Sequence, residues 1–276
     1  MPALKVQIKV QIKRERQMLQ MKILEKVNRY KFLFSELVKR DFKQKYKRTV
    51  LGMVWSALSP ICSFIIMKFI FENFFGRGEH YTTYLFIGIM VNSFFSESTN
   101  NGMFSLVANG GIISKVNVPK YIFLLSKNVS CLINFGITFA IFLVFAYIDH
   151  ITFTPTMLLI VYPVLCLIVF NIGVGLILSA LFVFFRDIQY IYSIFTQLLY
   201  YVSAIFYTVD ALPEHVQKIL MLNPIYDYIS YVRLVTINGV VPDLTLHLLC
   251  AGYALLMLVI GMIVYKVNNY KFVFYF

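Results

Sequence analysis

Long apolar stretches separated by short polar ones make up most of this chain after its first 49 residues. They predict six membrane-length helices, at about 50–71, 82–107, 121–148, 156–184, 188–207 and 247–265. Each is near or above the roughly 20 residues needed to cross a hydrocarbon core. Pro60 falls inside the first and should bend it unless neighbouring groups take up the freed carbonyl. Ahead of these, Leu4–Lys13 alternates apolar and polar with KVQI occurring twice, a strand-like period to which no function is assigned. From about Met18 the period changes: Ile23, Val27, Tyr30, Phe34, Val38, Phe42 and Tyr46 recur every three or four residues, with Lys and Arg between them. That is an amphipathic helix with a basic face, suited to lying in the membrane interface. In the 208–246 stretch, Pro213 predicts the start of a short helix holding Val216, Ile219, Leu220 and Leu222. Asn223–Pro224 should end it and open another through Ile225, Ile229, Val232 and Leu234. Both are too apolar for a free loop and too short to span, so they are expected to be interfacial or re-entrant. The predicted fold class is an all-α membrane protein, with residues 1–49 as a basic tail and amphipathic helix and 50–276 as the transmembrane domain.

Composition supports this division. The chain is 59% hydrophobic and only 14% charged, where soluble domains carry about 25% charged residues. Residues 1–49 hold 15 of the 25 Lys/Arg and 4 of the 13 Asp/Glu, so the basic character belongs to that end. With this end inside, Lys115, Lys120, Lys127, Arg186, Lys266 and Lys271 join it, leaving Arg77, Lys218 and Arg233 outside and Lys68 at the membrane edge. Both termini are then expected in the cytoplasm. A basic stripe also suits nucleic acid, but its direct junction to a span favours anionic membrane lipid, and no nucleic-acid partner is expected. No cleavable signal peptide is expected ahead of the first long apolar run.

Candidate chemistry is sparse. Cys62, Cys131, Cys166 and Cys250 sit apart inside apolar runs, with neither disulfide nor zinc spacing, and no metal site is expected. No Gly-Lys dipeptide occurs, so the chain cannot build a Walker A loop. If transport is driven by ATP, the ATP and Mg²⁺ belong on a separate ATPase, and no cofactor is expected on this chain. Catalytic residues are likewise not expected. The fifth stretch carries Gln189, Ser193, Thr196, Tyr200, Ser203 and Tyr207 at spacings of three and four, hence on one helix face. Such a face must meet protein or water. It reads either as a polar path on which sugar rings stack or as a helix–helix seam. The second stretch is polar over Asn92, Ser93, Ser96, Glu97, Ser98, Thr99, Asn100 and Asn101. Glu97 is a carboxylate well inside a span, and a packing or gate-lining role suits it better than a proton relay, for which no titratable partner is evident.

The run Arg40–Pro60 (RDFKQKYKRTVLGMVWSALSP) resembles the opening of ABC type-2 permeases that export lipid-linked polysaccharides such as O-antigens, capsules and teichoic acids. The matching positions are Arg40, Asp41, Tyr46, Leu51, Gly52, Trp55, Leu58 and Pro60, followed in order by 94–121, 184–190 and 212–233. The resemblance implies a homodimeric permease bound to two copies of a nucleotide-binding ATPase, with a lipid-linked glycan as cargo. It implies a cytoplasmic gate helix containing Tyr30, Phe34, Arg40, Asp41 and Tyr46. It also implies a coupling helix over Ser114, Lys115, Val116, Asn117, Val118, Pro119, Lys120 and Tyr121, beside a second cytoplasmic loop at Arg186 and Asp187. Asn92 stands where such permeases often have Trp. A related permease for a drug, lipid or peptide is the alternative; a membrane-embedded enzyme or ion-coupled carrier would need convergent titratable groups that Glu97 alone does not supply.

Overall fold

The computed structural model describes residues 30–44, 52, 54–75, 80–209 and 212–275, and every regular element among them is helical. The Leu4–Lys13 repeat, the start of the amphipathic helix and Tyr46 lie outside the described residues. In chain order the helices are α1 (residues 30–44), α2 (Val54–Phe75), α3 (Tyr81–Phe104), α4 (Gly110–Ile113) and α5 (Tyr121–Ile148). Then come α6 (Val161–Phe184), α7 (Ile188–Val202), α8 (Glu214–Leu220), α9 (Pro224–Arg233) and α10 (Leu244–Asn268). Among the described residues, three stretches are long and apolar enough to cross a membrane: α5, the continuous Pro155–Phe184 that contains α6, and α10. In α2 a shorter apolar segment, Ala57–Ile70, surrounds the predicted Pro60.

The helix at the centre of the bundle is α3, packed on α5, α6 and α9. In its polar half Asn92, Ser98 and Thr99 are buried while Ser93 and Asn100 stay exposed, and several of its side chains pair across to α5. Asn134 donates to Glu97 Oε1 at 2.9 Å, Ser98 Oγ bonds the amide oxygen of Asn128, and the Asn101 amide lies 3.2 Å from Cys131 Sγ. These contacts supply the partners that hydrocarbon cannot. Phenylalanines knit α2 to the same core: Phe64 lies 5.1 Å from Phe86 and 4.9 Å from Phe145 between ring centroids.

The tightest crossing joins α6 and α10. A Cβ on Gly173 would lie 2.4 Å from the Met257 carbonyl carbon, and one on Gly261 would lie 2.5 Å from the Gly173 oxygen. Only glycine lets the two backbones approach this closely.

Several boundaries differ from the sequence expectation for local reasons. The fifth stretch stops being helical at Val202 rather than near 207. Ser203 turns its hydroxyl back onto the Leu199 carbonyl, and Ala204 takes a left-handed φ of 48°. The turned chain offers its carbonyls to Arg233: Nη1 bonds Ala204 at 2.8 Å and Nη2 bonds Ile205 at 3.0 Å, while Nε and Nη2 reach Tyr84. Arg233, expected among the outer loop charges, is thus 6% exposed, with its guanidinium 3.3 Å over the Tyr84 ring. Burial lowers its pKa only to about 10, so it stays charged at neutral pH. The two short helices form as predicted: Pro213 precedes α8, and Asn223 caps α9 by accepting from the Ile225 N–H at 3.0 Å, with Pro224 at the first helical position.

Candidate functional site

Two features dominate one end of the bundle: a charged junction and a polar groove above it. The junction is built where α1 meets α5 and the segment after α3. Asp41 is 7% exposed as a residue, yet it receives Lys127 Nζ at 3.1 Å and Arg40 Nη2 at 2.9 Å on the same oxygen, and the Ser126 hydroxyl on the other at 3.2 Å. Arg40 continues to the Asn109 side-chain oxygen at 2.8 Å, and the Asn109 amide donates to the Ser105 carbonyl at 2.7 Å. A carboxylate with two cations and a hydroxyl is adequately compensated for leaving water. Leu37 of α1 packs in the same apolar cluster as Ile113, Val118, Ile122 and the C-terminal Phe272. Arg40 and Asp41, expected in a gate helix, are thus joined physically to α5 and to the segment after α3. Tyr30 and Phe34 pack on that cluster as well.

Above the junction a cavity of about 520 Å³ is lined by Asp41, Gln44, Glu97, Asn101, Lys127 and Asn134. Glu97 and Asn134 also line a neighbouring groove of about 580 Å³ between α2, α3 and α5. The groove presents hydroxyls and amides (Ser59, Ser63, Ser93, Thr138, Asn134) beside the rings of Trp55, Phe94 and Phe135. Flat apolar faces beside hydrogen-bonding groups suit a sugar, whose rings stack while its hydroxyls exchange hydrogen bonds. Sequence reasoning placed Glu97 and Ser93 in the second stretch but missed this groove. The contributing signal was a helical spacing of small hydroxyls, Ser59 and Ser63 in the first stretch, facing Asn134 and Thr138 in the third.

The predicted polar stripe on α7 divides. Ser203 is fully buried and occupied, donating to the Leu199 carbonyl and receiving the Asn223 amide at 2.9 Å. Thr196 returns its hydroxyl to the Tyr192 carbonyl at 3.1 Å, Tyr200 packs edge-on against Phe206 at 5.1 Å, and Tyr207 donates to the Tyr201 carbonyl at 3.1 Å. Ser193 is exposed and Gln189 is half-buried. Only Tyr192 of α7 is buried, where its hydroxyl bonds Thr99. The opposite, apolar side, with Ile191, Ile194, Phe195, Leu198 and Tyr201, is left open.

In the segment expected to hold a coupling helix, the helical part falls at Gly110–Ile113, ahead of the expected 114–121. Ser114 and Lys115 form a turn and Val116 a bend, the Val118 N–H closes a tight turn onto the Val116 carbonyl at 3.0 Å, and Pro119 disfavours helix at Val118 before it. Ser114, Lys115, Val116 and Asn117 are exposed in a row, while Val118 is held in the apolar cluster. Lys120 donates to the Asn269 carbonyl, and Tyr121 is exposed at the start of α5. Arg186 and Asp187, also exposed, lead into α7, and the Arg186 guanidinium stacks 5.1 Å from the Phe182 ring.

The ABC-2 type transporter family matches residues 33–237, from α1 through the turn after α9. This chain belongs to the ABC-2 type transporter family. Membership makes it a transport subunit in the membrane rather than an enzyme and implies an ATPase partner. Similar proteins span nearly its whole length. An O-antigen export system permease protein RfbA of Klebsiella pneumoniae is 29% identical over 247 residues, covering 87% of this chain and 95% of its own. A protein of the same description from Myxococcus xanthus is 25% identical, covering 80% of this chain and 86% of its own. The polysialic acid transport protein KpsM of Escherichia coli is 22% identical, covering 87% of this chain and 94% of its own. In this ABC-2 chain the junction, both grooves and α7 all fall inside the family match.

Proposed function

We propose that this chain is the permease of an ATP-driven exporter of lipid-linked polysaccharide, of the O-antigen, capsule or teichoic-acid type, in the bacterial cytoplasmic membrane. The observation that carries the reading is the nearly full-length similarity to export and transport proteins named for two different polysaccharides. The cargo's chemistry also fits the hydroxyl- and ring-lined groove between α2, α3 and α5.

In this reading α2, α3, α5, Pro155–Phe184, α7 and α10 are six spans, and α8 with α9 are re-entrant helices at the outer side. An even span count agrees with α1 and the C-terminal Phe272 sharing one apolar cluster. The basic face of α1 supports a cytoplasmic location for that end. The open apolar side of α7 is where a second copy of the chain would pack, making a homodimer with the cargo path between or beside the protomers. Two ATPase subunits, carrying the ATP and Mg²⁺, would dock on the exposed Ser114–Asn117 segment and the Arg186–Asp187 turn. Force applied there reaches α1 through Asn109 and Arg40, and α5 through Asp41 and Lys127. No side chain of this chain performs bond chemistry in such a cycle. Its residues convert closure of the ATPases into opening of the groove.

The test is to delete the gene and co-express the chain with its neighbouring ATPase. The expected result is intracellular accumulation of glycan on deletion, and ATP hydrolysis by the reconstituted complex that rises with the lipid-linked glycan. A chain that neither binds the ATPase nor alters glycan display overturns the proposal.

A further inference from the structure

A third cavity lies away from the polar groove, between α5, α6 and α10. It encloses about 540 Å³. Its walls are Leu124, Leu125, Ile172, Leu176, Leu258 and Met262, and at one end stand Lys120, Lys266 and Tyr265. Along α10 the stretch from Leu258 to Asn269 rises about 16 Å at 1.5 Å per residue, comparable to much of an acyl chain. No carboxylate lines the groove, and neither lysine has an acidic partner among the described residues. Lys120 is half-buried, with its ammonium 5.4 Å from the Phe272 ring, and burial lowers its pKa. Two cations, one of them also donating to the Asn269 carbonyl, therefore stand at the end of an apolar slot on a bundle that lies in lipid.

We propose that this slot holds one anionic phospholipid, with an acyl chain along the α5–α6–α10 walls and its phosphate at the end bearing Lys120 and Lys266. An apolar slot without charge would accept any lipid tail; the paired lysines select a negative headgroup. The chain's own N-terminal 29 residues are the wrong occupant, because they are basic themselves. The slot sits where α5 leaves the coupling segment and where the C-terminal turn packs, so a bound lipid would brace the coupling end against α10. The inference rests on placement in a membrane and not on the cargo, so failure of the export assay leaves it standing.

The experiment is native mass spectrometry of the full permease–ATPase complex, released from detergent in the presence of phosphatidylglycerol or phosphatidylcholine. Retention of phosphatidylglycerol over phosphatidylcholine is expected by roughly fivefold, with a similar loss of retention in Lys266→Glu, as a single headgroup contact at the interface gives. Lys218→Glu, on the exposed surface of α8, should leave retention unchanged. Met262→Trp, which fills the slot, should also remove the adduct and carries the test if Lys266→Glu does not assemble. Equal retention of the two lipids, or unchanged retention in both slot variants, overturns the proposal. So does displacement of phosphatidylglycerol by equimolar undecaprenyl phosphate, which would assign the slot to a polyprenyl carrier.

Discussion

Lys127 Nζ on α5 lies 3.1 Å from Asp41 Oδ1 on α1, and Arg40 holds the same oxygen at 2.9 Å. This one carboxylate joins the first described helix to the first turns of a span some eighty residues later. Through Arg40 it also reaches Asn109, beside the segment that would meet the ATPase. The arrangement works as a rigid link only while all three elements are attached.

Breaking the link on its neutral side should therefore uncouple rather than unfold. Asn109→Ala removes the acceptor for Arg40 and leaves the Asp41–Lys127 pair intact. Surface polysaccharide is expected to fall roughly tenfold, the factor that ~1.4 kcal/mol of coupling free energy gives, while ATPase binding and thermal stability in detergent stay near wild type. Asp41→Asn should do more, because it strands two cations in a half-buried site; a loss of about 1–3 kcal/mol is expected from the desolvation cost alone. Wild-type export in both variants would show that α1 is not part of the drive.

Arg233 offers a sharper structural test. It donates to the carbonyls of Tyr84, Ala204 and Ile205, and no neutral or point-charged side chain can reproduce that fork. Arg233→Lys is expected to cost about 2–4 kcal/mol through the carbonyls left without donors, read as a lower thermal midpoint of the purified complex. Arg233→Leu should cost more. If Arg233→Lys unfolds at the wild-type temperature, the helix break after Val202 is held by something else.

How much of this could be read in advance follows from which forces are local. Asn223–Pro224 and Pro213 announced α8 and α9 because capping and proline φ act within a few residues. The long apolar runs announced α5, α6 and α10 for the same reason. The end of α7 was not legible: its polar spacing continues to Tyr207, and the break depends on Arg233, about thirty residues downstream. Glu97 had no visible partner because Asn134 stands on another helix, at a separation no period links. Helix was expected over Ser114–Tyr121, but the helical turn lies at Gly110–Ile113, since Pro119 disfavours helix at Val118 just before it. Arg40 and Asp41 were legible only as a resemblance. Their partners Lys127, Ser126 and Asn109 come from tertiary packing.

The glycine crossing of α6 and α10 makes a prediction with an internal control. Gly173→Ala would place a methyl 2.4 Å from the Met257 carbonyl carbon, backbone that cannot rotate away. Separating the helices enough to admit it should cost about 1–3 kcal/mol, measured as a drop in thermal midpoint and in the yield of folded complex. Gly252, on the same α10, has nothing within 4 Å of an added Cβ. Gly252→Ala should be neutral or slightly stabilising by ~0.5–1 kcal/mol, because alanine is the better helix former. Equal effects at the two positions would contradict the crossing geometry.

Asp227 predicts how stability changes with pH. It is 3% exposed on α9, and its Oδ2 has no hydrogen-bond partner among the described residues. Burial pushes its carboxyl up to about 7 from the ordinary 3.8. Between those values the folded state holds a proton that the unfolded state has released, so its contribution to stability declines as pH rises from about 4 to 7 and then levels off. The wild-type complex should therefore unfold at a lower temperature at pH 8 than at pH 5.5 through this group. Asp227→Asn keeps the shape and cannot ionise, so it should flatten that part of the profile and unfold later than wild type at pH 8. The measurement is the thermal midpoint of both proteins across pH 5 to 8. Parallel profiles for the two would show that Asp227 is charged in the folded protein and has a partner that neutralises the cost.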